Sequence, residues 1–275
     1  MDKFSSIAAV VLTLNEEHNL SRALRSLAWC DELLVLDSGS IDSTEAVARQ
    51  NNAKFIVHKQ ASPFQITEQR NWALDRCGLR SKWVLFIDAD EEVSPVLADE
   101  IQKLISAPNR FNSYELTPRY WFLGKWLKRT QGFPNWHPRL LERDAVRFQG
   151  GVWESFSDTA LTSRIHIPYE HFAFSKGIDD WLERHQRYSS WDAIEIDQYL
   201  STKTLHSIRK RRLRAFTSYL WPLRPLLRFI QKYLFQFGFL EGWQALLYCL
   251  LICFYDLMTI TKLIQLRRHR AGLPL

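Results

Sequence analysis

The sequence predicts an α/β protein, a mostly parallel sheet with helices on both faces, followed by a helical C-terminal extension. Three observations carry this reading. Apolar, β-rich runs alternate with helical periodicity four times within residues 7–104. Those runs are continuously apolar rather than alternating, as strands covered on both faces should be. Beyond residue 176 strand signals give way to helical ones.

The first element is the strand "IAAVVLTL" (7–14), after which Leu20, Ala23, Leu24 and Leu27 recur at helical spacing. "ELLVLD" (32–37) is the second strand, and "DSTEAVARQ" (42–50) opens a helix with Asp42 as N-cap and Glu45 three residues on. "KFIVHK" (54–59) is the third strand, "QITEQRNWALDRC" (65–77) the next helix and "WVLFID" (83–88) the fourth strand. Ser94-Pro95 then starts a helix in the favoured order of cap followed by proline, with Val96, Leu97, Ile101 and Leu104 along one face. Residues 111–170 read as short antiparallel strands and loops that cover the binding edge, and residues 176–270 as helices with a break at Pro222 and Pro225. The organisation is a body over 1–175 and a helical, basic and apolar region over 176–275.

Composition bounds the function classes. With 275 residues, 46% of them hydrophobic, the chain is long and apolar enough for a real core. Cys30, Cys77, Cys249 and Cys253 form no C-x-x-C pair and read as buried apolar residues of a reducing compartment. Asn15, Glu16 and Glu17 interrupt the N-terminal apolar run where a signal peptide would need a cleavage site, so it is read as a core strand of a cytoplasmic protein. Residues 1–197 hold 23 lysines and arginines against 28 aspartates and glutamates, whereas 198–240 hold nine basic residues and no acid. A mildly acidic body with a basic end fits an anionic partner. No nucleic-acid module is present, so a membrane surface is the expected one.

In parallel sheets ligands bind beyond the C-terminal ends of the strands. Three polar clusters fall there: Asn15-Glu16-Glu17, Asp37-Ser38-Gly39-Ser40, and Asp88-Ala89-Asp90. The last continues into Glu91-Glu92, crowding four negative charges at the end of a buried strand, which demands something positive. Asp88 and Asp90, spaced by a small alanine, suit a divalent cation, Mg²⁺ or Mn²⁺, arriving with substrate phosphates; an acidic loop capping the next helix is the structural alternative. Neither G-x-G-x-x-G nor G-x-x-x-x-G-K-[ST] occurs, so a nucleotide must be held by other means, with Asp37, Asn15 and Glu17 placed to do so.

"VLTLNEEHNL", "LLVLDSGSIDST", "EQRNWAL" and "VLFIDADEE", in this order, resemble the nucleotide-sugar half of the inverting glycosyltransferases of family 2, with the GT-A, Rossmann-like fold. "HPRLLER", "GGVWESF", "EHFAFSKGIDDWLERHQRYS" and "FGFLEGWQALL" are similar to the bacterial lipopolysaccharide-core β-glucosyltransferase subfamily, which often reads G-x-V-H-E where this chain has Trp153 before Glu154. The resemblance implies a catalytic domain over 1–175, with a nucleotide-sugar half to about 110 and an acceptor half beyond. It implies that Asn15 and Glu17 line the donor pocket, Asp37 contacts uracil or ribose, Asp88 approaches the ribose, Asp90 coordinates the metal and Glu154 is the general base. His171 is a further metal-ligand candidate, and Arg139 and Arg187 are candidates for diphosphate contact. The implied reaction is metal-dependent transfer of a hexose, glucose by the resemblance, from a UDP-sugar to a lipopolysaccharide-core or lipid-linked saccharide. A sugar nucleotidyltransferase is the alternative enzyme, although the chain lacks the lysine-bearing, glycine-rich loop it would use; a membrane-associated scaffold is the non-enzymatic one.

At the C-terminal end, fourteen uncharged residues lie between Glu241 and Asp256. A single span needs about 20, and Asp256 interrupts any longer one, so the expected arrangement is peripheral, on the inner face of the membrane. Packing on the body, or a homodimer contact, is the other use for such a segment.

Overall fold

The structure, a computed structural model, describes residues 6–61, 64–108, 110–150, 154–202, 220 and 223–275. The chain divides into two compact units, one of Met1–Tyr120 with Phe133–Ser175, the other of Trp121–Gly132 with Lys176–Leu275.

In the first unit the elements run β1 (Ile7–Thr13), α1 (Leu20–Ser26), β2 (Glu32–Asp37), α2 (Thr44–Gln50), β3 (Lys54–Val57), α3 (Ile66–Arg76) and β4 (Trp83–Asp88). They continue through β5 (Glu91–Glu92), α4 (Pro95–Ser106), β6 (Ser113–Phe122), β8 (His137–Glu142), β9 (Phe148–Gly150), β10 (Glu154–Phe156) and β11 (Thr162–His171). The short β7 (Lys125–Trp126) pairs with the last residues of β6 and belongs to the second unit. The sheet order is β3-β2-β1-β4-β8-β6-β11-β5, and β9 and β10 form a separate antiparallel pair. The first four strands are parallel, as expected; the later part is mixed, because β8 is antiparallel to both β4 and β6 while β11 runs parallel to β6.

The apolar runs are continuous because both faces of the sheet are covered. Ile7, Ala9 and Val11 of β1 and Trp83, Leu85 and Ile87 of β4 pack with Leu20, Leu24, Leu97 and Ile101 of α1 and α4. Their neighbours Ala8, Val10, Val84 and Phe86 pack on the opposite face against Ala73, Leu74 and Cys77 of α3. This is the two-residue alternation of a strand, filled on each side.

Two local expectations change. Ser43, not Asp42, holds the N-cap position of α2, and Asp42 instead accepts hydrogen bonds from the Thr44 amide at 3.0 Å and the Glu17 amide at 3.1 Å. Glu45 pairs with Arg49 one turn on rather than closing a capping box. Ser94 does cap α4, its Oγ accepting from the Leu97 amide at 3.2 Å, with Pro95 in the first turn.

The second unit is helical: α5 (Gly177–Thr202), α6 (Arg224–Phe229), a π-helical turn (Ile230–Phe235), a 3₁₀ turn (Gly238–Glu241) and α7 (Trp243–Arg270). Pro225 stands in the first turn of α6, where its missing N–H costs nothing, while the break expected at Pro222 lies outside the described residues. So do Lys203, Arg209, Lys210, Arg211, Arg212 and Arg214 of the basic stretch. Asp256 does not interrupt the apolar segment. It is fully buried within a continuous helix, with Arg228 Nε at 2.6 Å and Arg224 Nη2 at 3.3 Å, so α7 reaches 28 residues. By length and composition alone such a helix could cross a membrane, although 44% of its most apolar stretch is buried. Polar pairs join α5 to α7: Asp192 accepts from the Tyr255 hydroxyl, Asp197 pairs with Arg267 and Arg270, and Lys262 donates to Ser189 Oγ at 2.8 Å.

Candidate active site

Because β1, β2 and β4 are parallel, with Thr13 paired to Asp37 and Leu12 to Asp88, the three polar clusters emerge at one edge. The loops after β1 and β2 are laced together. The Asn15 amide donates to Ser40 Oγ at 2.7 Å, Asn15 Oδ1 accepts from the Ile41 amide at 2.9 Å, and Glu17 Oε2 accepts from the Ser43 amide at 2.9 Å. Beneath them Asp37 is 1% exposed. Its oxygens accept from Thr13 Oγ1 at 2.8 Å, from the Gly39 and Ser40 amides at 2.7 Å each, and from Ser40 Oγ. A carboxylate has about four acceptor sites, and four donors reach Asp37, three from its own turn and one from Thr13 at the end of β1. Asp37 thereby shapes the turn that Asn15 and Glu17 border. Gly39 sits at φ +108°, a left-handed conformation that favours glycine.

The positive group demanded by the acidic strand end is found first within the chain. Arg139, on β8, is 4% exposed, and its Nη2 lies 3.0 Å from Asp88 Oδ2, 2.5 Å from Glu91 Oε1 and 3.4 Å from the Tyr169 hydroxyl. Arg70, on α3, is 2% exposed and sets Nη2 3.4 Å from Asp88 Oδ1 and Nη1 2.7 Å from Glu154 Oε2. A metal ion is thus not the sole counter-charge, as the sequence had suggested. Arg139 Nε and Nη2 are engaged by Tyr169 and the two carboxylates, while its Nη1 is buried with no hydrogen-bond partner among the described residues.

These charges set the protonation of the site. Burial alone would raise the Asp88 carboxyl, but the Arg139 and Arg70 guanidiniums prevail and hold it below the usual range. Glu91, fully enclosed and donated to by the Asp88 amide at 2.9 Å, is pushed up to about 7 by burial despite Arg139. His137 is pushed down to about 3 by burial and by Arg139, which keeps it neutral at ordinary pH. Burial also raises the Glu154 carboxyl, and Arg70 and Arg139 offset only part of that.

Asp90 and His171 come together because β5 pairs antiparallel with the end of β11, setting His171 opposite Glu91, while the Phe172 amide donates to the Asp90 carbonyl at 2.8 Å. His171 Nε2 lies 3.5 Å from Asp90 Oδ2. Burial would lower the imidazole, yet Asp90, then Glu91 and Asp88, more than offset this and hold it above its ordinary value. Among the described residues no group of three or more His, Cys, Asp or Glu side chains is arranged around a metal position. One carboxylate and one imidazole still match Mn²⁺ or Mg²⁺, which commonly takes only one or two protein carboxylates and completes its shell with phosphate oxygens and water.

Glu154 opens β10, and α3 places it. Thr67 Oγ1 donates to the Gly150 carbonyl at 2.8 Å and Asn71 Nδ2 to the Phe148 carbonyl at 2.9 Å, fixing β9. Arg70, on the same helix face three residues after Thr67, grips Glu154 itself. The other carboxylate oxygen, Oε1, is buried and without a hydrogen-bond partner among the described residues. Gly151, Val152 and Trp153 lie outside them, so the G-x-V-x-E departure has no structural account. Arg187 is exposed on α5, in the second unit.

Sequence reasoning gave no role to Arg70, Glu91, His137 or Tyr169. Arg70 stood in the quoted "EQRNWAL", where a basic residue three and four positions before Ala73 and Leu74, hence on the inner face of the helix, was the available signal. Glu91 stood in the acidic run, but nothing in one dimension distinguishes it from exposed acids.

The sequence profile described as "Glycosyl transferase family 2" matches residues 8–167. An uncharacterised glycosyltransferase of Rickettsia felis is 37% identical over 113 residues, covering 40% of this chain and 38% of that protein. The lipopolysaccharide core biosynthesis glycosyltransferase LpsC of Rhizobium meliloti is 28% identical over 120 residues, covering 43% of this chain and 44% of that one. The matched part thus spans less than half the length of either relative. Among solved structures, glucosyl-3-phosphoglycerate synthase from Mycobacterium tuberculosis, in complex with Mn²⁺, UDP and glucosyl-3-phosphoglycerate, aligns with 22% identity and a TM-score of 0.39 over 51% of this chain and 57% of that one. The family profile covers more than half of the residues, including all three strand-end clusters and Glu154, and the chain belongs to glycosyl transferase family 2.

Proposed function

We propose that the protein transfers a hexose, glucose in the leading reading, from a UDP-sugar to a lipopolysaccharide-core or lipid-linked saccharide with inversion at the anomeric carbon. The observation that carries this is Glu154: Arg70 holds one carboxylate oxygen while the other is buried, without a hydrogen-bond partner among the described residues, and in the same cluster as the strand-end acids. In an inverting transfer the acceptor oxygen bonds to the anomeric carbon as the bond to the diphosphate breaks. The acceptor's proton passes to a base, and the leaving group departs with the electron pair. Glu154 Oε1 is the atom proposed to take that proton. The raised affinity of this carboxyl for protons makes it a stronger base than a solvated glutamate. Asn15, Glu17 and the open edge of Asp88 are proposed to border the donor; the Asp88 side chain remains 34% exposed. Asp90 and His171 would hold Mg²⁺ or Mn²⁺, which when bound neutralises charge on the leaving diphosphate. The acceptor's lipid linkage accords with peripheral attachment of the basic second unit to the inner, anionic face of a membrane.

The test is a donor screen with UDP-, GDP- and dTDP-sugars, with and without divalent metal, on a panel of saccharide acceptors. Metal-dependent turnover of a UDP-hexose is expected, with Asp90→Asn weakening metal-dependent donor binding. Release of pyrophosphate from a nucleoside triphosphate and a sugar phosphate would replace the proposal with nucleotidyl transfer.

A further inference from the structure

The second unit carries an apolar surface that its own packing leaves uncovered. On α7 the inner face is filled by Ala245, Tyr248, Cys249, Ile252, Ile260 and Leu263. Trp243, Leu247, Leu250, Phe254 and Leu257, spaced by four, three, four and three residues, form a second stripe that is exposed throughout. The stripe spans roughly 21 Å at 1.5 Å per residue. Beyond Leu257 the exposed residues of α7 turn polar, with Thr261 and Gln265.

At the N-terminal end of α7 the stripe meets the turn that joins it to α6. Phe235 there is 76% exposed, Phe237 52% and Trp243 59%, with Phe239 and Leu240 also outward. This turn is built rather than frayed. The buried Glu241 accepts from the Arg129 and Thr130 amides at 2.7 and 2.8 Å. Lys232 Nζ donates to the Thr130 carbonyl at 2.6 Å. Gly238 lies so close that an added Cβ would meet the Lys232 carbonyl at 2.7 Å. Phe237 itself is held at φ +57°, a conformation unfavourable for a side-chain-bearing residue, yet its ring is turned to solvent.

Charge identifies the occupant. After residue 197 the chain has thirteen lysines and arginines and only two acids, Glu241 and Asp256, both buried. Among the described residues after 197 no carboxylate side chain is exposed, while Arg267, Arg268 and Arg270 are, the complement of an anionic lipid interface. A polar rim of mixed sign, usual around a protein partner, is missing from the sequence here.

We propose that the α6–α7 turn and the outer stripe of α7 insert into one leaflet of a lipid bilayer. The aromatic turn enters the acyl region, and the far end of α7, with Arg268 and the half-exposed, Asp197-paired Arg267 and Arg270, stays at the headgroups. This rests on the peripheral membrane location proposed above and adds to it hydrophobic insertion, with named residues, where charge attraction alone had been invoked.

The experiment is flotation of the full chain with vesicles of phosphatidylcholine alone and of phosphatidylcholine mixed with phosphatidylglycerol, at low and at molar salt. It is repeated with Phe235→Ser/Phe237→Ser/Leu240→Ser, checked for native fold by circular dichroism. Insertion predicts that anionic vesicles bind most tightly, that a neutral-vesicle component survives molar salt, and that the triple substitution lowers this component on the order of a hundredfold or more. Binding to anionic vesicles only, fully released by salt and indifferent to the substitutions, would overturn insertion while leaving peripheral attachment in place. No vesicle binding by a chain that sediments as a dimer, and as a monomer when substituted, would overturn both and make the face a contact between copies.

Discussion

Replacing Arg139 by methionine removes a guanidinium that faces two carboxylates, and the structure says which of them suffers. Asp88 keeps a second cation, Arg70 Nη2 at 3.4 Å, and 34% of its side chain remains open. Glu91 has no exposed surface, and Arg139 Nη2 at 2.5 Å is the guanidinium paired with it. Breaking a buried pair from one side costs about 3–5 kcal/mol, because the Glu91 carboxyl, already pushed up by burial, must then stay ionised without solvent or take up a proton in the folded state. For a chain of this size that corresponds to a fall in the unfolding midpoint of roughly 10 °C. Arg139→Met/Glu91→Gln removes both charges and is expected to recover most of the loss, since a neutral amide leaves no buried ion. The assay is a double-mutant cycle by thermal or urea unfolding, following the transition of the first unit. A single substitution costing under about 1 kcal/mol would refute the argument that Arg139 is the counter-ion of Glu91. So would a double variant less stable than Arg139→Met.

Glu154→Gln should retain donor binding while turnover falls roughly 10²-fold or more, measured by single-turnover transfer. With Glu154 intact, the acid limb of the turnover–pH profile should fall above the ordinary glutamate range, because burial raises this carboxyl and only the ionised form accepts a proton. Arg70→Met should move that limb to still higher pH, since Arg70 is the first of the groups holding Glu154 down; a purely structural role for Arg70 would lower activity without moving it. Gly39→Ala is expected to destabilise the turn by more than about 1 kcal/mol in urea unfolding, because φ +108° is closed to alanine. The added Cβ would also fall 2.2 Å from Lys59 Cε, a flexible end that can move aside.

The sequence by itself determined the order of elements in the first half, the parallel pairing of its strands and the edge at which the polar clusters gather. Those features follow from local periodicity and from the rule that strand ends of one direction share an edge, neither of which needs a distant contact. The continuous apolar runs of β1 and β4 already implied cover on both faces. Only the tertiary structure decided what each polar residue does at that edge. Asp37, Asp88 and Glu91 are all acids at or just beyond strand ends in the sequence. Yet one accepts from its own turn and from Thr13 of the neighbouring strand, one is shared between two guanidiniums and left partly open, and one is sealed against Arg139. The partners that separate them are distant in the chain, Arg139 lying 51 residues from Asp88 and Arg70 lying 84 from Glu154. Charge crowding was legible in one dimension, but the choice between a metal and buried arginines as its remedy depends on which helix and strand are folded over it. The same holds for Asp256: in the sequence it ends an apolar run, and in the fold Arg224 and Arg228 neutralise it, so the helix continues.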